Sequence, residues 1–212
     1  MRYLLNIVFI CCLVSSASAQ TRVVAECTVS YAITVNNESQ IDKDAVALLK
    51  QSVKTVYIKG NNSRSDLTSP SFSQSLIFNK ANGNAFILRE IGANKFLTKI
   101  DGPKWLKQNE KFSDMLIQFT EERKQILGYE CKHAIMQMKD GSTFSVYYAS
   151  TIIPSVREFE YQFKDIPGFV LEYEAKDGYT QKITYTASKI SFNPVSAAKF
   201  EIPTTGYRLL NE

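Results

Sequence analysis

Apolar side chains fall at every second residue across 23–35: Val23, Ala25, Cys27, Val29, Tyr31, Ile33 and Val35 alternate with a mostly polar set that includes Glu26, Thr28, Ser30 and Thr34. A period of two sends successive side chains to opposite sides of an extended backbone, so this stretch predicts a strand with one buried face. The pattern then recurs. Val53–Lys59 and residues 63–67 flank the turn residues Gly60, Asn61 and Asn62, and residues 76–79, 85–90 and 95–100 follow with Gly- and Asn-containing turns between them. Further strands are expected at 116–120, 125–127, 129–138, Thr143–Ala149, 169–175 and 180–192. Residues 42–51, with acidic residues in the first turn, and 105–115 read as short helices, and 194–199 as one helical turn before a last segment at 200–207.

The expected fold is therefore mainly β (α+β). It is a single open antiparallel half-barrel of about 10–11 strands, with two or three short helices on its concave side. No linker, repeat or shift in composition divides the chain. All-β domains commonly reach this length as one unit. Glu121 and Glu122, flanked by Arg123 and Lys124, read as the polar tip of a hairpin.

The first residues belong to another category. Arg2 precedes an apolar run from 3 to 14 that only Asn6 interrupts, and Ser15-Ser16-Ala17-Ser18-Ala19 ends in the small residues a signal peptidase accepts. The run is too short for the roughly 20 residues of a membrane-spanning helix. Residues 1–19 are thus expected to be a cleaved signal. Cleavage between Ala19 and Gln20 leaves 193 of the 212 residues as one domain, 20–212, in the periplasm or outside the cell. No later stretch is long and apolar enough to span a bilayer, so the mature chain is expected to carry no transmembrane segment.

Cys11 and Cys12 leave with the signal, and Cys27 and Cys131 remain. An even count in an oxidising compartment points to one disulfide, the alternative being two buried thiols packed as small hydrophobes. The single His excludes sites built on several imidazoles. Motifs for zinc hydrolysis, dithiol redox chemistry, a nucleophile elbow or nucleotide phosphates are all missing, so no cofactor or metal is expected and no catalytic residue is assigned. His133 shares a strand face with Cys131 and Ile135, where packing is the commoner role. Glu172 and Glu174 alternate with Leu171 and Tyr173 on what reads as a solvated face. The 25 basic residues are interspersed with 21 acidic ones, which argues against a nucleic-acid partner. The chain holds 11 Tyr, 13 Phe and one Trp, enough aromatic side chain to fill a core or to line an apolar cavity.

Three stretches carry a resemblance. Lys124-Gln125-Ile126-Leu127-Gly128-Tyr129-Glu130-Cys131-Lys132-His133-Ala134 resembles the K-x-I-x-G-Y-x-C-x-K-A segment of the GLPGLI family, secreted envelope proteins of Gram-negative bacteria. Tyr147 to Pro154 is similar to that family's Y-x-x-x-I-P step. Asp165-Ile166-Pro167-Gly168-Phe169-Val170 stands where the eponymous motif would fall, with Asp-Ile in place of Gly-Leu. The ending from Phe200 through Pro203 and Gly206 to Tyr207 resembles the F-x-x-P-x-G-Y close of related envelope families. The resemblance implies a periplasmic lipoprotein-carrier (LolA-like) architecture. It also marks Gly128, Tyr129, Pro154, Pro167, Gly168, Pro203, Gly206 and Tyr207 as structural positions, and it supplies no reactive group.

Together these readings predict a non-enzymatic envelope protein that binds or carries a hydrophobic ligand (lipid, acyl chain or lipoprotein) in a curved sheet. An envelope module that docks another protein is the alternative, and a hydrolase built on Tyr, Ser and carboxylates is a third.

Overall fold

A computed structural model describes residues 21–35, 43–177 and 181–210. The expected signal at 1–19, the break at 36–39 and the tip of the last hairpin at Gly178 and Tyr179 lie outside them. Among the described residues the chain forms fourteen strands. They are β1 (Arg22–Val24), β2 (Glu26–Val35), β3 (Val53–Lys59), β4 (Asn62–Thr68), β5 (Phe72–Asn79), β6 (Asn84–Ile91), β7 (Asn94–Ile100), β8 (Leu116–Ile126), β9 (Tyr129–Gln137), β10 (Thr143–Ala149), β11 (Ile152–Pro154), β12 (Phe169–Asp177), β13 (Gln181–Ser191) and β14 (Arg208–Leu210). Two α-helices, α1 (Lys43–Lys50) and α2 (Gly102–Gln108), and several 3-10 turns complete it.

Twelve strands make one sheet in the order β14-β7-β6-β5-β4-β3-β2-β13-β12-β10-β9-β8, and β1 pairs with β11 apart from it. The sheet does not close, since β14 and β8 remain as edges. β3 to β7 form a meander, and β13 returns to lie beside β2, joining the two halves. Pairing within the sheet is antiparallel except for β14 on β7, and the separate β1–β11 pair is also parallel. The strand count exceeds the 10–11 expected, because β1, β11 and β14 are three-residue strands too short for a period to show.

Register explains the core. Cys27, Ile58, Ser63, Phe78, Ala85 and Ile100 stand in one cross-strand row. Val29, Val56, Ser65, Leu76, Ile87 and Thr98 form the next row on the same face. Beyond β2 this face continues through Ile33, Tyr185, Tyr173, Val146 and Ala134. Phe159 and Phe163, on two 3-10 turns, fill the space over it: Phe163 meets Tyr173 at 4.9 Å and Phe159 meets Phe169 at 5.5 Å between ring centroids. Burial of such a contiguous apolar face is the main source of stability.

Three local expectations are corrected. The second helix begins at Gly102 rather than 105, because the Asp101 carboxylate accepts from the Lys104 N–H and Pro103 suits the first turn. It also stops at Gln108, and a 3-10 turn (Glu110–Phe112) follows. Glu121 and Glu122 are not a hairpin tip: the strands expected at 116–120 and 125–127 are one strand, β8, which ends at Ile126 and whose register shifts between Phe119 and Arg123. The true turn is Leu127-Gly128, with φ of 51° and 81°, the two positive values of a tight β8–β9 hairpin. Finally, the Cys27–Cys131 bridge is absent, and both thiols are free and buried. β13, β12 and β10 separate β2 from β9, about 19 Å along the sheet at strand spacing, whereas a disulfide needs Cα atoms within about 7 Å.

Candidate functional site

The helix-covered face is not filled everywhere. A cavity of about 350 Å³ lies against it, lined chiefly by Leu76, Trp105, Phe112, Met138, Phe144 and Tyr161, with Asn109, Lys111 and Glu160 among the polar groups. Leu76 is on β5 and Phe144 on β10, six strand steps apart in the sheet, about 29 Å by spacing. Both reach one cavity of this size only because the sheet curls round to bring its two halves together. The volume falls within the ordinary range for small-molecule sites, roughly 300–1,000 Å³, and the aromatic lining with a few polar groups is also typical.

Trp105 organises the wall. α2 presents it to the sheet, where it stacks on Phe78 at 5.5 Å and meets Tyr161 edge-on at 6.2 Å. The helix end is tied as well, since Asn109 donates from its side-chain amide to the Trp105 carbonyl at 2.9 Å. Nearby, Lys54 and Glu160 form an ion pair whose side chains are 11% and 20% exposed. The Lys54 ammonium lies 5.2 Å over the Tyr173 ring and 5.0 Å over Tyr185, and Ser65 donates to Glu160 at 3.4 Å. These contacts hold Glu160, which lines the cavity, in a fixed orientation. Tyr173 and Tyr31 have hydroxyl pKa values well above the ordinary phenol range through burial, so both are neutral fixtures of the core. Tyr31 donates to the Val170 carbonyl at 2.8 Å.

A polar ladder occupies the opposite face of β8, β9, β10, β12 and β13. His133, Tyr147, Glu172 and Thr186 stand in cross-strand register. His133 Nε2 lies 2.6 Å from Ser145 Oγ, and Nδ1 lies 2.8 Å from Thr120 Oγ1 and 3.2 Å from a Glu122 oxygen. Lys124 donates to both Glu172 oxygens at 2.7 Å, and Thr186 donates to Glu172 at 2.7 Å. Serine, imidazole and carboxylate thus lie at the spacing of a nucleophile, its base and an orienting group. The donors an acyl-transfer oxyanion would need are engaged elsewhere: the Ser145 N–H points to Glu174 at 3.2 Å and the Lys124 ammonium is held by Glu172. Tyr147 has its phenol pKa raised by burial and by the Glu122 charge, so it stays protonated. The ladder reads as cross-strand hydrogen bonding that covers β8–β10. Glu172, expected on a solvated face, is buried in it.

The sequence-marked positions are dispersed rather than gathered at a site. Gly128 makes the β8–β9 turn, and Tyr129 begins β9 against the core. Pro154 is buried at the end of β11 beside Val24. Pro167 is exposed, but Gly168 is enclosed: a Cβ there would come within 2.4 Å of the Ala149 carbonyl oxygen and 2.7 Å of the Tyr148 ring. Pro203, Gly206 and Tyr207 lie on a C-terminal strap, and the Tyr207 hydroxyl donates to Glu90. Cys131 and His133 form no couple. Burial pushes the Cys131 thiol up to about 11 and Cys27 up to about 12, so neither is a nucleophile at neutral pH.

The cavity residues Trp105, Phe112, Met138 and Tyr161 carried no sequence signal. They come from four separate segments that only the curled sheet brings together. Among the described residues there is no group of three or more His, Cys, Asp or Glu placed to hold a metal ion. Nor is any helix there long and apolar enough to cross a membrane.

No family model matches the chain, and no curated protein does. Among solved structures it is similar to PNGF-II, determined in space groups C2 and P21. The identity is 13% and the TM-score 0.48 in both, over 87% and 88% of this chain. The chain spans 30–32% of the length of that protein, and nothing about ligand or activity follows from the likeness.

Proposed function

We propose that the protein is a non-enzymatic envelope protein that binds or carries a hydrophobic ligand (a lipid, an acyl chain or a lipoprotein's lipid) in the cavity beneath α2. The observation that carries this reading is the cavity of about 350 Å³, walled by Leu76, Trp105, Phe112, Met138, Phe144 and Tyr161 between the two halves of a curled sheet. An open half-barrel with short helices on its concave side suits such a cargo, because the ligand can enter without the sheet having to part. The resemblance of 124–134 and 200–207 to secreted envelope families supports the same reading. The signal-like segment at 1–19, with cleavage between Ala19 and Gln20, supports a location in the periplasm or outside the cell.

Native mass spectrometry of the protein isolated from cell envelope tests this. A bound species of lipid mass, released by organic solvent, is the expected result. A bare polypeptide mass under conditions that preserve the complexes of known lipid carriers would count against it.

One observation favours a second reading, an interaction module. Edge strand β8 exposes Leu116 (68%) and Phe119 (54%), apolar side chains beside unpaired backbone groups that another strand could extend. Crosslinking in cells separates the two, since a module without cargo yields one dominant protein partner and no lipid.

A further inference from the structure

α2 turns Trp105 inward, where it is 7% exposed and stacks on Phe78. At 3.6 residues per turn, the face opposite Trp105 holds Pro103 and Lys107, with Leu106 and Lys104 at its flanks. Pro103 and Lys107 are exposed, Lys104 is half-buried, and Leu106 is 57% exposed. An apolar side chain thus stands among lysines on the outside of the helix. Residues 102–112 carry three lysines, Lys104, Lys107 and Lys111, against one acid, Glu110. Lys80 adds a positive charge beside α2: it lines a cavity of about 430 Å³ with Pro103 and Leu106, and donates to the Ser155 carbonyl at 3.2 Å. The other acids at this end are Asp101, which accepts from the Lys104 N–H, and Glu158, which has one carboxylate oxygen buried.

The same element borders the apolar cavity of the candidate site. Trp105 forms part of its wall, and Lys111 and Thr143 are exposed among its lining residues, so the mouth lies beside the end of α2. The Lys111 ammonium sits 4.9 Å over the ring of Phe112, which also lines the cavity. An acyl chain passed through water exposes its whole apolar length, a cost avoided when the mouth is set against a bilayer. There Leu106 buries at the boundary of headgroups and acyl chains, while the lysine stems lie along it and their ammonium groups reach the phosphates. An acidic protein would satisfy the lysines but offers the cargo no apolar phase to enter.

We propose that the outer face of α2 docks the protein on an anionic lipid bilayer, with Leu106 as the apolar anchor and Lys80, Lys104, Lys107 and Lys111 as the cations around it. The cavity mouth then faces the membrane. The proposal rests on the reading of that cavity as an acyl site.

The test is co-sedimentation of the protein isolated from cell envelope with two kinds of vesicle, phosphatidylcholine alone and phosphatidylcholine with an equal share of phosphatidylglycerol. Binding to the anionic vesicles should be at least tenfold stronger and should fall as salt is raised. Lys107→Gln should weaken it about fivefold, the usual contribution of one lysine near an anionic surface. Leu106→Gln should weaken it about tenfold through lost apolar contact. Lys99→Gln, on the exposed side of β7 away from the core, should change it less than twofold. Each variant should keep the wild-type Trp105 emission, which shows that α2 is in place. Equal binding to both vesicles, or equal losses from Lys99→Gln and Lys107→Gln, would overturn the docking face. So would binding to neither vesicle, and retention on immobilised polyglutamate would then assign the lysines to an acidic protein. Native mass spectrometry separates the two readings. Lipid in the cavity without vesicle binding overturns the docking face alone, and vesicle binding by a protein that carries no lipid overturns the acyl site and leaves the docking face standing.

Discussion

Gly168 illustrates how a single position is dictated by packing rather than by turn geometry. Beside Pro167 it reads as a turn residue, yet its demand is for space: the Ala149 carbonyl oxygen and Tyr148 ring occupy the volume of any side chain. Gly168→Ala should therefore destabilise the protein by roughly 3 kcal/mol, the upper end of overpacking costs, in chemical denaturation. The Lys54–Glu160 pair makes a different demand. Each charge is mostly withdrawn from water and depends on the other. Lys54→Ala should cost about 3 kcal/mol by leaving Glu160 buried and unpaired, whereas Lys54→Met with Glu160→Gln should cost clearly less. Stability curves of the two variants settle that ordering. The cysteines give a third residue-scale expectation. With thiol pKa values near 12 and 11 and no bridge, the native protein should resist a disulfide exchange reagent at pH 8. Two thiols per chain should titrate once it is unfolded and residues 1–19 are absent. A silent pair under denaturing, non-reducing conditions would mean that Cys27 and Cys131 are linked.

Among the elements, the C-terminal strap is the one whose attachment depends on pH. It crosses the face opposite the cavity: Val195 N–H donates to Glu26 at 2.8 Å, and Arg64 donates to the Lys199 carbonyl at 2.8 Å. Tyr207 donates to Glu90 just before β14 joins β7. The hydrogen bond from Lys59, and then that from Val195, holds the Glu26 carboxyl below its ordinary 4.5, and Tyr207 and Lys95 do the same for Glu90. Carboxyls lowered on folding contribute stability that is fully present above about pH 4.5 and is lost as pH falls through the lowered values. Protection from hydrogen exchange, taken relative to the intrinsic rate at each pH, should fall at 208–210 below pH 4 while protection at 27–31 in β2 holds. An equal loss of protection in both would show that the strap has no separate attachment.

Which elements were legible in the sequence follows from the same physics. β2, β3 and β10 alternate because one face packs and the other is wet, and their limits are close to those expected. The alternation predicts two strands where β8 is one, because its register shift places Glu121 and Glu122 mid-strand, where a run of charge imitates a turn. The last segment at 200–207 precedes the strand rather than forming it: only 208–210 pairs, in parallel with a strand more than a hundred residues earlier in the chain.

At the scale of the whole molecule, the open sheet followed from hairpin after hairpin, each a local signal. The cavity did not, because it depends on how far the sheet curls and on which side chains from β5, β10, α2 and the 3-10 turns then meet. Sequence spacing contains no measure of that. The arrangement makes one residue a reporter for the central claim. Trp105 is the sole tryptophan of the chain, and it forms a wall of the cavity. Tryptophan emission therefore reads the site directly. Titration with a long-chain monoacylglycerol below its aggregation threshold should shift and quench that emission saturably, with a midpoint in the micromolar range or tighter. Phe144→Glu, which brings a carboxylate into the apolar wall of the cavity, should abolish the ligand-dependent change while leaving the far-ultraviolet dichroism of the sheet intact. Emission that remains constant across the titration, in a protein whose dichroism is native, would contradict the account.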